Sequence, residues 1–206
     1  MADIRTVKRA LSGYSPLLLD GSSRAAVSMV LRERDHGTEV LFIERSQKPD
    51  DPWSGHMAFP GGRLDAGETV EQAARRETLE EVGLSLHDAE PLGRLDDLTG
   101  RRAGAASSGM IISAFVFQHH GETPLIFQES EVAEAFWVPV SYLSAPDRHI
   151  HKAFRGTADM SFPGIVVGHP ERHIVWGLTY RFIEVFHRVI DRPFPNRWGA
   201  IESLVK

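Results

Sequence analysis

One stretch of this chain, residues 61–84, limits its fold more than any other. It begins with Gly61–Gly62, a pair that permits a turn with backbone angles closed to other residues. A helix with both ends marked follows. Thr69 and Gln72 can form a capping box, in which each side chain bonds the backbone N–H of the other residue. Gly83 is typical of a left-handed helix end. The stretch therefore predicts a glycine turn followed closely by one helix.

Three acids of this predicted helix share a face with the small residues of Ala73–Ala74: Glu77, Glu80 and Glu81. An advance of roughly 100° per residue turns that face toward the body of the protein. It places four residues on the opposite side: Gln72, Arg75, Arg76 and Leu79. Carboxylates three and four residues apart repel one another, and divalent cations relieve that repulsion. Oxygen ligands without cysteine favour Mg²⁺ or Mn²⁺ over zinc. The alternative is a solvated helix whose acids pair with arginines.

The composition fits one globular domain in a reducing compartment. The 206 residues are 42% hydrophobic and 25% charged, have a formal net charge of −5 and contain no cysteine. Without cysteine, a disulfide framework, a thiolate zinc site and a cysteine nucleophile are excluded. The acidic balance disfavours a nucleic-acid polymer as partner. Because neither a signal peptide nor a long apolar run is evident, we expect a cytoplasmic protein that does not enter the membrane.

Strand-like runs alternate with turn signals along the rest of the chain. They are Ala25–Leu31, Val40–Ile43, His56–Phe59, Leu92–Leu98, Met110–Phe117, Ala135–Val140 and Gly164–Gly168. The first two predict a hairpin, and Pro139 predicts an edge strand because proline cannot donate to a central ladder. Further helices are predicted over Asp3–Leu11 and His173–Ile190. We expect an α+β domain over residues 25–192, with a mixed sheet between helices. A packed leader, residues 1–24, would precede it, and a tail, residues 193–206, would follow.

The spacing within residues 61–84 resembles the signature of the Nudix hydrolases. Gly62 is followed by five residues and Glu68, and then by seven residues and the run Arg76–Leu84, which reads R-E-T-L-E-E-V-G-L. Thr78 departs from the signature, since the family prefers a bulky aliphatic residue there. The resemblance implies an α/β/α sandwich. It also implies metal-dependent hydrolysis of a nucleoside diphosphate linked to another moiety, with water attacking phosphorus.

The same resemblance implies roles for individual residues. The metal ligands would be the side chains of Glu77, Glu80 and Glu81 and a backbone carbonyl of Gly61 or Gly62. Arg76 would orient a glutamate by a charge-assisted hydrogen bond, with Glu68 as its partner. The base that activates water would be Glu81 or a downstream acid such as Glu131. The implied catalytic set is Glu77, Glu81, Arg76 and Glu131.

Segments on both sides of the signature are similar to the coenzyme A pyrophosphatase subfamily. These segments are residues 41–46, 55–62, 92–98 and 174–179. The similarity implies cleavage of coenzyme A or an acyl derivative to 3′,5′-ADP and (acyl-)phosphopantetheine. The expected substrate contacts are Arg45, Phe59, Gly61, Gly62, Arg101 and Arg102. Asp51 stands where the subfamily carries a basic residue, and Lys48 is the candidate replacement.

Two alternatives remain open at this point. Within the hydrolases, the substrate could be ADP-ribose, a nucleotide sugar or a nucleoside triphosphate. From another class, the domain could bind a nucleotide as a non-catalytic sensor, although three retained, mutually repelling acids argue against that. The paired histidines are interpreted as surface residues: His119, His120, His149, His151, His169 and His173. The aromatic residues near Trp176 are interpreted as core or as contacts in a homodimer.

Overall fold

The computed structural model describes residues 3–49, 53–100, 109–153 and 161–195. Three residues discussed above lie outside the described residues: Asp51, Arg101 and Arg102. So does most of the predicted tail, from residue 196 onward.

The described residues form three α-helices and two β-sheets. The helices are α1 (Ile4–Ser12), α2 (Val70–Val82) and α3 (Gly177–Val189). The strands are β1 (Arg24–Arg34), β2 (Gly37–Arg45), β3 (Met57–Ala58), β4 (Gly61–Arg63), β5 (Glu90–Arg94), β6 (Leu98–Gly100), β7 (Met110–Gln118), β8 (Val132–Pro139), β9 (His149–Ala153), β10 (Ser161–Val166) and β11 (Ile174–Val175). No helix among the described residues is long and apolar enough to cross a membrane.

The central sheet is mixed, with strand order β3-β2-β1-β7-β5. β1 and β2 form the predicted hairpin, in which Leu31 lies opposite Val40. β7 runs parallel to β1, whereas β4 pairs antiparallel with β1 near its start. β8 pairs with β2 alone among the described strands, so the predicted edge strand is confirmed. The smaller sheet has the order β11-β10-β9.

Helices cover both faces of the central sheet, which confirms the predicted α+β class. On the face that we call the front, Ala73, Ala74 and Val82 of α2 pack on Leu41 and Ile43. On the other face, the rear, α1 and α3 pack on residues that alternate with these along β2, Val40 and Phe42. The rear core takes three buried residues from α1 and five from α3: Ile4, Val7, Leu11, Tyr180, Phe182, Ile183, Val185 and Phe186.

Two predicted elements are each divided into two in the structure. The strand predicted over Leu92–Leu98 is divided into β5 and β6, because Asp96 and Asp97 between them bond the leader. The helix predicted from His173 begins only at Gly177, because Ile174–Val175 pairs with β10 as a strand. Apolar spacing alone could not separate a short buried strand from the first turn of a helix.

The leader packs on the domain through α1 more than through its three consecutive leucines, Leu17–Leu19. Ile4, Val7 and Leu11 of α1 are buried, whereas Leu17 and Leu18 are exposed. Backbone hydrogen bonds hold the leucine run instead, since the N–H groups of residues 17 and 19 donate to the carboxylates of Asp96 and Asp97.

Candidate active site

The glycine turn lies between β1 and α2, where backbone and side chains approach closely. A Cβ atom on Gly61 would lie 2.2 Å from the Ala26 carbonyl oxygen. A Cβ atom on Gly62 would lie 2.3 Å from Glu77 Cδ. Gly61 is therefore required by space against the sheet backbone, whereas a Cβ atom on Gly62 would have to displace the flexible Glu77 carboxylate.

Helix α2 has the ends that the sequence predicts. The Thr69 side chain accepts the Gln72 N–H, the Gln72 side chain accepts the Thr69 N–H, and Gly83 has φ 68°. Thr78, which departs from the Nudix signature, is fully buried, and its hydroxyl donates to the Ala74 carbonyl at 2.7 Å. A polar side chain is tolerated there because its donor is satisfied within the helix.

Glu81 is the most deeply buried acid of the helix. The residue is 3% exposed, and its Oε2 accepts the Gly61 N–H at 2.8 Å. Burial raises the pKa of Glu81 to about 8, and the charges of Glu77 and Glu131 act in the same direction. Arg45 and the Gly61 bond oppose that rise. The ionised form of Glu81 is therefore unfavourable unless a cation binds next to it.

The other two predicted metal ligands lie progressively farther out. Glu77 is mostly buried, and burial raises its pKa. The Glu80 side chain is 52% exposed, so the prediction that it shares the protein-facing side is wrong. Buried Thr78 and Val82 shift the buried arc of α2 toward Ala74 and Glu81, which leaves Glu80 outside it.

Arg76 connects the acids on this side of the helix. It forms a bidentate ion pair with Glu68, in which Nε and Nη2 each lie 3.0 Å from a carboxylate oxygen. The predicted pair is therefore present. Its Nη1 also donates to Glu77 and Glu80, at 2.9 Å each. The prediction that Arg76 lies on the opposite side from the acids is therefore wrong, since its long side chain reaches around the helix. These bonds raise the Arg76 pKa, and the bond from Arg76 lowers that of Glu68.

The ends of β2 and β8 bring two more predicted residues to the site. Ser46 donates its backbone N–H to the Glu131 carbonyl at 2.9 Å, which joins the segments that follow β2 and precede β8. The charges of Arg45 and Glu131 both act on the Glu81 carboxyl. The structure thus gathers Arg45, Glu77, Glu81, Glu131 and the glycine turn at one place.

Phe59 is not available to a substrate. It is buried and stacks on Phe42 with ring centroids 5.1 Å apart, within the rear core. The prediction that Phe59 contacts substrate is wrong, because the strand alternation around β3 directs it away from α2.

One charged cluster was missed by the sequence interpretation. On the rear face, Glu44, Glu134 and His173 hold ligand atoms within 4.8 Å of one another, and Arg172 pairs with both acids. His173 is buried, so its interpretation as a surface histidine is wrong. A signal existed in β2, where Glu44 continues the inward-facing alternation of Val40 and Phe42.

Known proteins similar to this chain share its domain. The family model described as NUDIX domain matches residues 22–159. An uncharacterized protein of Schizosaccharomyces pombe is 40% identical over 111 residues, which make up 52% of this chain and 34% of that protein. Nudix hydrolase 3 of Caenorhabditis elegans is 30% identical over 134 residues, 64% of this chain and 55% of that protein. The mitochondrial coenzyme A diphosphatase of Homo sapiens is 28% identical over 180 residues, 84% of this chain and 71% of that protein.

A solved structure supports the fold. A MutT/nudix family protein from Enterococcus faecalis superposes with a TM-score of 0.56 and 20% identity, over 94% of this chain and 73% of that one. This likeness confirms the predicted α/β/α arrangement. The chain spans 34% and 55% of the lengths of the first two relatives, so their sequences extend well beyond the shared domain.

Proposed function

The chain belongs to the NUDIX domain family, and we propose that it hydrolyses the pyrophosphate bond of a nucleoside diphosphate linked to another moiety, with coenzyme A or acyl-CoA as the substrate. The observation that carries this proposal is the position of Glu81. Its buried carboxyl group is bonded to the Gly61 N–H and lies within the influence of Glu77 and Glu131, with a pKa raised to about 8. Perturbed acids grouped in this way are typical of functional sites.

The acids present fit a divalent cation. Glu81 and Glu77 are both destabilised as anions by burial, and a hard cation relieves that cost with oxygen ligands. Mg²⁺ or Mn²⁺ would be held by these two side chains and by a carbonyl of Gly61 or Gly62. Glu80 would join them on release from Arg76. When bound, the cation supplies charge neutralisation for the pyrophosphate oxygens and lowers the pKa of water.

The side chains around this site have three further roles: they bind phosphate, accept a proton and position the acids. Arg45 binds a phosphate group of the substrate by charge-assisted hydrogen bonds. Glu81 or Glu131 accepts the proton of the attacking water, while the bond from phosphorus to the bridging oxygen breaks. The Glu68–Arg76 pair keeps the acids of α2 in place, and the Gly61 N–H fixes the direction of the Glu81 carboxyl. Positioning of this kind supplies most of the catalysis expected for phosphoryl transfer.

Similarity to two coenzyme A diphosphatases supports the choice of substrate. The human relative named above aligns over most of this chain, and a peroxisomal coenzyme A diphosphatase of Caenorhabditis elegans is also among the relatives. The sequence segments outside the signature agree with this choice. An acidic chain that binds a small polyanion through cations has no need of a basic surface.

We further propose that the protein is cytoplasmic and forms a homodimer. We also propose that it binds neither nucleic-acid polymers nor membranes. The proposed domain limits are residues 25–192. Gel filtration with light scattering tests the dimer, and a single-chain mass would refute it.

A metal-dependent substrate panel tests the proposed activity. The purified protein is incubated with Mg²⁺ or Mn²⁺ and coenzyme A, acetyl-CoA, ADP-ribose, a nucleotide sugar or a nucleoside triphosphate, and products are separated by chromatography. Formation of 3′,5′-ADP from coenzyme A is the expected result. Faster cleavage of another substrate would refute the coenzyme A assignment. Binding without turnover of any compound would establish the sensor alternative.

A further inference from the structure

The rear face of the sheet holds two acids directly opposite one another. Glu44 of β2 pairs in register with Glu134 of β8. The Glu44 side chain is buried, and that of Glu134 is partly exposed. Like charges directly opposite on one face of a strand pair repel and weaken the pairing. This pair of strands therefore needs positive charge at this place.

Arg172 supplies that charge from the turn before β11, and the His173 ring lies beside it. Arg172 Nη2 lies 2.5 Å from Glu44 Oε2 and 3.4 Å from Glu134 Oε2. His173 Nε2 lies 3.2 Å from Glu134 Oε2 and 3.5 Å from Glu44 Oε2. The bond to Glu44 raises the Arg172 pKa. We call these four residues the rear clamp.

The rear clamp is better suited to ion pairing than to metal binding. His173 Nδ1 accepts the His169 backbone N–H at 3.0 Å, so the ring proton is placed on Nε2. With its proton on Nε2, the neutral ring has no lone pair there for a cation, and Nε2 lies near the two carboxylates without forming a hydrogen bond to a described residue. The Arg172 guanidinium already bonds the Glu44 oxygen that a cation would need.

A β-bulge lies immediately beside the rear clamp. Glu44 opposes Glu134, but the next residue of β2, Arg45, opposes Val132, so Ala133 is the extra residue. This change of register places Arg45 and Val132 on the front face together. Bulges are frequent beside active sites because they change the direction of a side chain.

We propose that Arg172 is a positioning residue. Its ion pairs with Glu44 and Glu134, with His173 beside them, hold β2 and β8 together at the bulge. This contact fixes Arg45 and Glu131 on the front face. Arg172 acts through the strands and touches neither substrate nor reacting atoms. The proposal rests on the proposed function for its catalytic consequence. Its structural consequence is that the Ser46–Glu131 backbone hydrogen bond beside the bulge stays formed, and this can be measured without any activity.

The substitutions Arg172→Gln and Glu44→Gln, singly and together, test this role. Arg172→Gln leaves two facing carboxylates, and we expect kcat/KM for coenzyme A to fall about tenfold. Hydrogen exchange at the Ser46 amide should accelerate by a similar factor, because that N–H bonds Glu131 across the loosened pair. The double variant removes the repulsion, and both readouts should return most of the way to wild type.

Arg188→Gln is the matched control. Arg188 is 62% exposed and lies 2.5 Å from a single carboxylate, Asp96, whereas Arg172 is 55% exposed. The control should leave both readouts unchanged. The proposal would be overturned if the double variant had a lower kcat/KM or faster Ser46 exchange than Arg172→Gln, or if Arg172→Gln left Ser46 exchange unchanged.

Titration with Zn²⁺ or Mn²⁺ is a second test. If Arg172→Gln gained a bound metal that the double variant lost, the rear clamp would be a metal site. If the wild type cleaves nothing in the substrate panel, the exchange rates still decide the positioning role.

Discussion

The backbone N–H of Gly61 donates to Glu81 Oε2 over 2.8 Å, and this bond joins the glycine turn to the most buried acid of α2. The turn and the helix therefore form one unit. The same turn brings Gly62 against Glu77, so two adjacent glycines contact two acids one helical turn apart. Changes to the two acids should therefore alter the site without unfolding the domain.

Glu81→Gln should reduce kcat for the best substrate by about 10²–10⁴-fold, because a neutral amide can neither accept a proton nor attract a cation. Folding should be preserved, since the burial that raises the Glu81 pKa favours a neutral side chain. Steady-state kinetics and urea unfolding measure the two effects. Glu71→Gln is the control on the same helix, because Glu71 pairs with Arg75 away from the site. Equal activity of the Glu81 variant and wild type would show that the site is misassigned.

The metal-free protein should lose stability as pH rises from about 5 to 8. The pKa of Glu81 is raised from 4.5 to about 8, so in this window the folded state binds a proton that the unfolded chain has released. Stability is therefore highest below the unfolded pKa and declines by roughly 2–4 kcal/mol through the window. Urea unfolding at several pH values measures the slope. Glu81→Gln should flatten it, and saturating Mn²⁺ should reverse it, whereas a slope shared by wild type and variant would assign the effect elsewhere.

Gly62→Ala should weaken metal binding while leaving the fold intact. The new Cβ would overlap the Glu77 carboxylate, which ends a flexible side chain and can move away. We expect the Mn²⁺ dissociation constant to rise by about tenfold or more, since one ligand is displaced. Isothermal titration measures it. Gly13→Ala is the control, because a Cβ there meets nothing within 4 Å. Unchanged Mn²⁺ affinity in Gly62→Ala would contradict the ligand assignment.

Asp97→Asn should destabilise the domain by about 2–4 kcal/mol, because it disturbs a buried carboxylate that anchors the leader. The Asp97 side chain accepts bonds from the Leu19 N–H, Arg94 and the Ser113 hydroxyl. Burial would raise its pKa, but these bonds prevail and lower it. Urea unfolding measures the loss, with the exposed Asp88→Asn as control. A loss no larger than that of the control would show that Asp97 does not anchor the leader.

Local features of the candidate site were predictable from the sequence. The capping box, the Gly83 helix end and the Glu68–Arg76 pair each join residues close together in the chain, so spacing and backbone preference determine them. The direction of Glu80 was not predictable, because the buried arc of α2 depends on how Thr78 and Val82 meet the sheet.

The turn, the helix and the acids that can bind a cation follow from local sequence alone. Which strand faces meet these acids depends on contacts between distant parts of the chain. Arg45 and Glu131 come from segments more than eighty residues apart, and the Ala133 bulge sets their register. A shift of one residue would exchange front for rear along β8, because side chains alternate between faces. The same long-range register buries Phe59 and brings Glu44 to His173, two results that no local pattern specifies.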